Sequence, residues 1–195
     1  LIHAALIRVW DVEKKELPSQ LIEPYFSKIY ELLDKDNTLS DDAYYLLNYI
    51  PTNDKEKREI ETLVNNFNSD KESWEELLNV DQPYHTLYRL NIIGNLLISD
   101  NRVFEKAFFE NGGFKRFLDI LFSARETYKK PIHIDMILNI TRILLGIGNK
   151  SSDLVELKNQ ILADTGVKNL PELVTWISTL LKNQPIKNYT NVHFS

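Results

Sequence analysis

The chain has 195 residues, of which 43% are hydrophobic, 26% charged and 11% aromatic, and its formal net charge is −5. This apolar fraction is enough to build a core, which excludes a wholly disordered chain. No apolar run approaches the roughly 20 residues that cross a bilayer, and the opening lacks the basic region and cleavage site of a signal peptide. We therefore expect a soluble, cytoplasmic protein, and we expect a piece of a longer one because the first residue is Leu.

The residue inventory excludes several kinds of chemistry. The chain contains no cysteine, so a disulfide, a thiolate metal site and a cysteine nucleophile are ruled out within it. The four histidines lack the spacing that places two metal ligands on one helical face. Residues 1–100 carry 10 Lys and Arg against 19 Asp and Glu, and 101–195 carry 13 against 9, with no basic stripe for a phosphate backbone. The sequence thus predicts no catalytic residue, no cofactor, no metal, no nucleic acid and no membrane partner.

Apolar residues recur at helical spacing along almost the whole chain, and no segment alternates as a strand does. The segment 82–99 is apolar nearly all round, which indicates an inner helix, and Pro83 suits its first turn. Ser40, followed by two aspartates, is predicted to cap another helix. Besides 82–99, the predicted helices lie at about 2–12, 20–35, 40–50, 54–67, 71–79, 101–110, 113–126, 131–147, 152–163 and 170–183.

Two segments in the second half of the chain match each other. Residues 108–124 superimpose on 161–177 with a constant offset of 53, which pairs Gly113 with Gly166 among seven matched positions. Each copy is a helix, a glycine turn and a second amphipathic helix, so Gly112, Gly113 and Gly166 are predicted turn residues. An internal repeat of this kind favours a stacked solenoid over a globular bundle.

The order of these elements resembles an armadillo repeat. In that family a long third helix reads roughly A-L-x-N-L, and the next repeat supplies a short helix, Gly-Gly and an apolar helix. Here IIGNLL and ENGGFKRFLDIL stand in those places. The resemblance implies an all-α, armadillo/HEAT-like α-solenoid of about ten helices. Its parts would be 1–80, which match only as helical pairs, the repeats at 81–183, and an irregular tail at 184–195.

Two further strings resemble the helical region upstream of the catalytic domain in giant ubiquitin-specific proteases of the fat-facets type. They are YYLLNYIPTN at 44–53 and SWEELLNVDQPYHTLYRLNIIGNLL at 73–97. This match consists mainly of core and turn residues, and none of the catalytic motifs of that family is present. It implies a non-catalytic scaffold of a cysteine-type deubiquitinase, which would recruit ubiquitinated substrates or position a catalytic domain outside these residues.

Two alternatives to the protease parent stay open. One is an armadillo-repeat adaptor unrelated to ubiquitin, such as a formin regulatory region or a transport or adhesion scaffold. The other, less favoured, is an independent small enzyme. A proline-rich tract and an actin-nucleating domain after this region would favour the formin, and a Cys box and a His box would favour the protease.

The armadillo resemblance also implies a binding surface for a protein partner or an extended peptide. In peptide-binding members the asparagine of the third helix hydrogen-bonds the peptide main chain, and Asn95 occupies that position in IIGNLL. Arg89 and Asn91 lie on the same predicted helix. Asn139 and Arg142 lie on the third helix of the next repeat, which has no clean second Asn-Leu in register. The alternative role for Asn95 is a structural bridge between stacked helices.

Overall fold

A computed structural model describes residues 22–33, 35, 38–66, 71–99, 101–127, 131–149, 151–167 and 170–182. Within these ranges the chain forms ten α helices, one 3-10 turn and no strand. The predicted all-α class is thereby confirmed. The predicted helix 2–12 and the tail 184–195 lie outside the described residues. The helices are α1 (Phe26–Leu33), α2 (Thr38–Tyr49), α3 (Asp54–Asn66), α4 (Lys71–Leu77), α5 (Pro83–Ile98), α6 (Arg102–Glu110), α7 (Gly113–Thr127), α8 (Pro131–Gly146), α9 (Ser152–Asp164) and α10 (Leu170–Lys182).

The first two described helices begin at positions other than those predicted. Pro24 lies in a 3-10 turn, Glu23–Tyr25, which precedes α1. α2 begins at Thr38, so the prediction that Ser40 caps this helix was wrong. The Ser40 side chain is fully buried and its hydroxyl donates to the Leu32 carbonyl oxygen at 3.0 Å. Contact with α1, which local sequence does not encode, therefore decides the role of this serine.

Many of the helices pack on the helix three positions further along the chain as well as on their chain neighbours. α5 lies between α2 and α8, α6 contacts both α3 and α9, and α4 packs on α7. The buried apolar residues belong to one cluster that extends from Ile22 to Ile177. This cluster includes residues on both sides of the expected division between 1–80 and 81–183.

α5 is the most enclosed helix that the structure describes. Ten of its sixteen residues are buried, in agreement with its nearly all-round apolar sequence. Gly94 lies in the middle of α5, where a Cβ atom would come within 3.0 Å of the Ile143 Cδ1 atom of α8. The absence of a side chain at Gly94 thus permits the close approach of α5 and α8.

The glycines at the helix junctions have two different functions in the fold. Gly112 follows α6 with φ = 86°, and Gly166 follows α9 with φ = 81°, a conformation that glycine adopts without strain. Gly113 is instead the first residue of α7. A Cβ atom there would overlap the Phe108 ring and would lie 2.8 Å from Trp74 Cη2. In backbone conformation Gly166 therefore corresponds to Gly112. In the sequence alignment it is paired with Gly113, the next residue.

Candidate partner-binding face

The outer sides of α2, α5 and α8 form adjacent surfaces because α5 contacts both of the other helices. We call this surface the α2–α5–α8 face. Polar and apolar groups are mixed on it, and several large apolar side chains are substantially exposed. Its exposed residues include Asp41, Tyr45, Asn48, Asn95, Asp135, Leu138, Arg142 and Leu145.

A row of hydrogen-bonded side chains crosses this face from α2 to α8. The Asn91 Nδ2 atom donates to Tyr44 Oη and to Asn48 Oδ1, each at 3.0 Å. On the other side, Asn139 Nδ2 donates to Asn91 Oδ1, and Arg142 Nη2 donates to Asn139 Oδ1 at 3.4 Å. We call these five residues the polar ladder. It brings together Asn91, Asn139 and Arg142, three of the five residues predicted from the sequence.

The ladder leaves defined hydrogen-bonding capacity toward solvent. An asparagine amide has two N–H donors, and both donors of Asn91 are used within the ladder. Asn48 and Arg142 are exposed at its two ends. The guanidinium of Arg142 has five N–H donors, and the hydrogen bond to Asn139 uses only one of them. The fixed asparagine in the centre therefore orients two outer groups that can still bind a ligand.

Asn95 lies one turn beyond Asn91 on α5, and its side chain is exposed. Its backbone carbonyl oxygen accepts from the Ser99 backbone N–H at 3.0 Å, whereas its side chain makes no hydrogen bond with any residue that the structure describes. The bridge between helices that was the alternative role for Asn95 is made by Asn91 instead. Asn95 also lines a cavity of about 270 Å³ between the end of α5 and the start of α3, together with Pro51, Thr52, Asp54, Lys57, Ile92, Leu96 and Ser99.

Arg89 is placed apart from the other predicted residues. Its Nε atom donates to Glu56 Oε1 of α3 at 2.8 Å, and its Nη1 atom donates to the Leu77 carbonyl oxygen at the end of α4 at 3.1 Å. The two charged side chains are only 27% and 15% exposed. Arg89 thus joins α3, α4 and α5, and its observed contacts are structural.

Two carboxylates that are not among the predicted binding residues, Asp41 and Asp135, border the ladder. The Tyr84 hydroxyl of α5 donates to Asp41 Oδ1 of α2 at 2.6 Å. Although Asp135 of α8 is exposed as a residue, partial desolvation of its carboxyl group, followed by the charge of Asp41, raises its pKa. Burial also raises the pKa of Tyr44, against the hydrogen bonds of Asn48 and Asn91 that lower it. Asp41 precedes Tyr44 by three residues and Asp135 precedes Asn139 by four, so each carboxylate lies about one helical turn before a ladder residue of its own helix.

Helical spacing contains a signal for these residues. Asp41, Tyr45 and Asn48 are four and three residues apart, and so are Asp135, Asn139 and Arg142. Residues at such spacings share one side of a helix. The two sets could therefore have been proposed as exposed stripes, but their meeting across α5 depends on the packing of the three helices.

The strings that resemble the protease region have an evident structural role. Asn53 of Pro-Thr-Asn caps α3, since its Oδ1 atom accepts from the Lys55 backbone N–H at 3.0 Å. Its own N–H and its amide group donate to the hydroxyls of Tyr88 and Tyr30, at 3.2 and 3.0 Å. Trp74 is 2% exposed, and its Nε1 atom donates to the Asn111 carbonyl oxygen at 2.5 Å. These strings therefore specify caps and core contacts.

No family model matches the chain, and neither curated proteins nor solved structures contain a significant match. Within the described ranges, no three side chains of the types His, Cys, Asp and Glu cluster as a metal site would require. None of the described helices combines the length and apolar character that a bilayer crossing needs.

Proposed function

We propose that the chain is an armadillo-like α-solenoid segment that binds an extended segment of a protein partner on the α2–α5–α8 face. The solenoid part is supported by the contacts between helices three positions apart. The series α2–α5–α8 and α3–α6–α9, with the pair α4–α7, are the neighbours that stacked three-helix repeats would produce.

The observation that carries the binding proposal is the polar ladder. A peptide main chain presents both donors and acceptors, and an asparagine side chain can satisfy either. Asn91 and Asn139 fix one another, so the exposed groups beside them are oriented before a partner arrives. Such preorganisation lowers the entropic cost of binding. Asn48, Asn95 and Arg142 are the side chains that we expect to contact the partner.

This proposal can be tested with peptides selected from a random library against the whole chain. We expect Asn95→Ala and Asn48→Ala each to weaken peptide binding about fivefold, the usual value of one hydrogen bond. Asn159→Ala, which removes an exposed asparagine from α9, is the matched control and should leave affinity unchanged. Peptides whose affinity is the same for all three variants would bind elsewhere and would contradict the proposed face.

We further propose that this segment is a non-catalytic scaffold of a large cytoplasmic ubiquitin-specific protease. The support is the pair of strings at 44–53 and 73–97, and the chain itself supplies no cysteine for catalysis. Ubiquitinated substrates would then be partners of the parent protein. The complete reading frame is the test: a Cys box and a His box are expected, whereas an actin-nucleating domain would assign the segment to a formin-type adaptor.

A further inference from the structure

Opposite charges lie at the two edges of the α2–α5–α8 face. At one edge are Asp41 of α2 and Asp135 of α8, which precede the ladder residues of their own helices by three and four residues. The Tyr84 hydroxyl donates to Asp41. Among the described residues, no Lys or Arg forms an ion pair with either carboxylate. We call this the acidic edge. It presents two carboxylates from helices that lie on opposite sides of α5.

The other edge carries Arg142, seven residues after Asp135 on the same helix. Two helical turns separate these residues, which corresponds to about 10 Å along the helix axis. The Arg142 Nη2 atom lies 3.8 Å from the position that a Cβ atom of Gly94 would take, beside Asn95. The nearby cavity contributes Lys57 and Asp54 together, so its net charge is zero. The positive charge at this edge therefore comes from Arg142, and we call it the basic edge.

The geometry of an extended peptide fits two such edges. A peptide that crosses from α2 to α8 passes over α5, where the single side chain of Asn91 reaches both outer helices, so a short extended segment meets all three helices. Its successive side chains point to opposite sides of the main chain. One set would therefore point to the acidic edge and the alternate set to the basic edge, while the main chain lies over the polar ladder.

We propose, on the basis of the binding function proposed above, that this face selects an extended segment in which basic and acidic side chains alternate. Lys or Arg side chains bind at Asp41 and Asp135, and an Asp or Glu side chain binds the guanidinium of Arg142. Charge complementarity of this kind determines which partners bind and in which register. The bidentate geometry of arginine with a carboxylate adds to this selectivity.

The test uses three fluorescein-labelled eight-residue peptides: one alternating Lys and Asp, one with the same composition in two blocks, and one of Ser and Gln. We expect the alternating peptide to bind at least fivefold more tightly than the block peptide at low salt. This advantage should shrink at 0.3 M NaCl, because salt screens exposed charges. Asp135→Asn and Arg142→Gln should each reduce it, whereas Arg102→Gln, at an exposed arginine of α6, should not.

The outcomes separate this inference from the function on which it rests. Equal binding of all three peptides would overturn the charge-order proposal and leave peptide binding intact. Failure of all three to bind would count against both. The titration of Asp135, followed by NMR, is a second measurement. Because a nearby cation favours the carboxylate form, binding of the alternating peptide should lower the pKa of Asp135. An unchanged pKa in the saturated complex would contradict the placement of the basic side chain.

Discussion

At the scale of single residues, Arg89 is a predicted binding residue whose observed contacts join helices of the fold. Its guanidinium donates to Glu56 of α3 and to the Leu77 carbonyl oxygen of α4. Both side chains of the Arg89–Glu56 pair are largely buried. Truncation of either one should therefore cost more stability than truncation of a side chain in an exposed ion pair.

We expect Arg89→Ala to lower the free energy of unfolding by about 2 kcal/mol, because it leaves a largely buried carboxylate and a helix-end carbonyl without their donor. Lys55→Ala is the control, since the Lys55–Glu59 pair is 74% and 55% exposed, and should change stability by less than about 0.5 kcal/mol. Chemical denaturation measures both. Equal effects of the two substitutions would contradict the structural role of Arg89.

Gly113 provides a second test at this scale. A Cβ atom at this position meets the Phe108 ring and Trp74, both fully or nearly fully buried. Gly113→Ala should therefore destabilise the protein by about 1–3 kcal/mol through overpacking. Gly146→Ala at the end of α8 meets no atom within 4 Å and should be neutral or slightly stabilising. Thermal melts in which the two variants coincide would show that the ring contact is absent.

At the scale of elements, buried and partly buried tyrosine hydroxyls join helices that are distant in sequence. Tyr30 of α1 and Tyr88 of α5 both bind Asn53, which caps α3. Tyr44 of α2 binds Asn91 of α5. Burial is the largest cause that raises the pKa of all three tyrosines above the ordinary value. At alkaline pH the folded protein therefore keeps these hydroxyl protons after the unfolded chain has lost them.

The sign of the resulting pH dependence follows from this difference in bound protons. Unfolded tyrosines ionise near pH 10. The stability that the three protonated hydroxyls contribute is fully present below about pH 10 and is lost as the pH rises toward their folded-state values. We expect the free energy of unfolding to fall above pH 10, measured by urea denaturation at several pH values. Tyr30→Phe should reduce this slope by about 1.4 kcal/mol per pH unit at most, and an unaltered slope would contradict it.

Most helix positions could be predicted because their signals are local. Pro83 begins α5, and predicted and observed ends from α3 to α10 agree within about two residues. The polar ladder could not be predicted, because Asn91 meets Tyr44 and Asn139 at separations of 47 and 48 residues. Ser40 was misassigned for the same reason, as its partner belongs to the preceding helix. Local chemistry thus defines helices, whereas the roles of their polar residues depend on neighbouring helices.

At the scale of the whole molecule, the main contacts of the last two helices are confined to nearby elements. α9 packs on α6 and α7, and α10 packs on α8. In a stacked array each unit is stabilised mainly by its neighbours, so an end unit can be removed without loss of the rest. In a bundle with one shared core, the same removal would unfold the chain.

Truncation after residue 149 therefore distinguishes these two architectures. We expect the shortened chain to retain helices α1 to α8 and a cooperative transition at a lower melting temperature. Circular dichroism should show a loss of signal that corresponds to the 13 residues of each deleted helix. A collapse of most of the helical signal would argue for the bundle and against the solenoid proposal.

The enclosure of α5 has a consequence for the exchange of backbone amide protons with solvent. Its contacts with α1, α2, α3, α6 and α8 mean that no single neighbour can open and leave it exposed. Amide protons in well-packed central elements exchange only through nearly global opening, whereas peripheral elements exchange through local opening. In deuterated buffer, α5 should thus be the last of the described helices to take up label. The free energy derived from its slowest amides should equal the stability of the whole molecule.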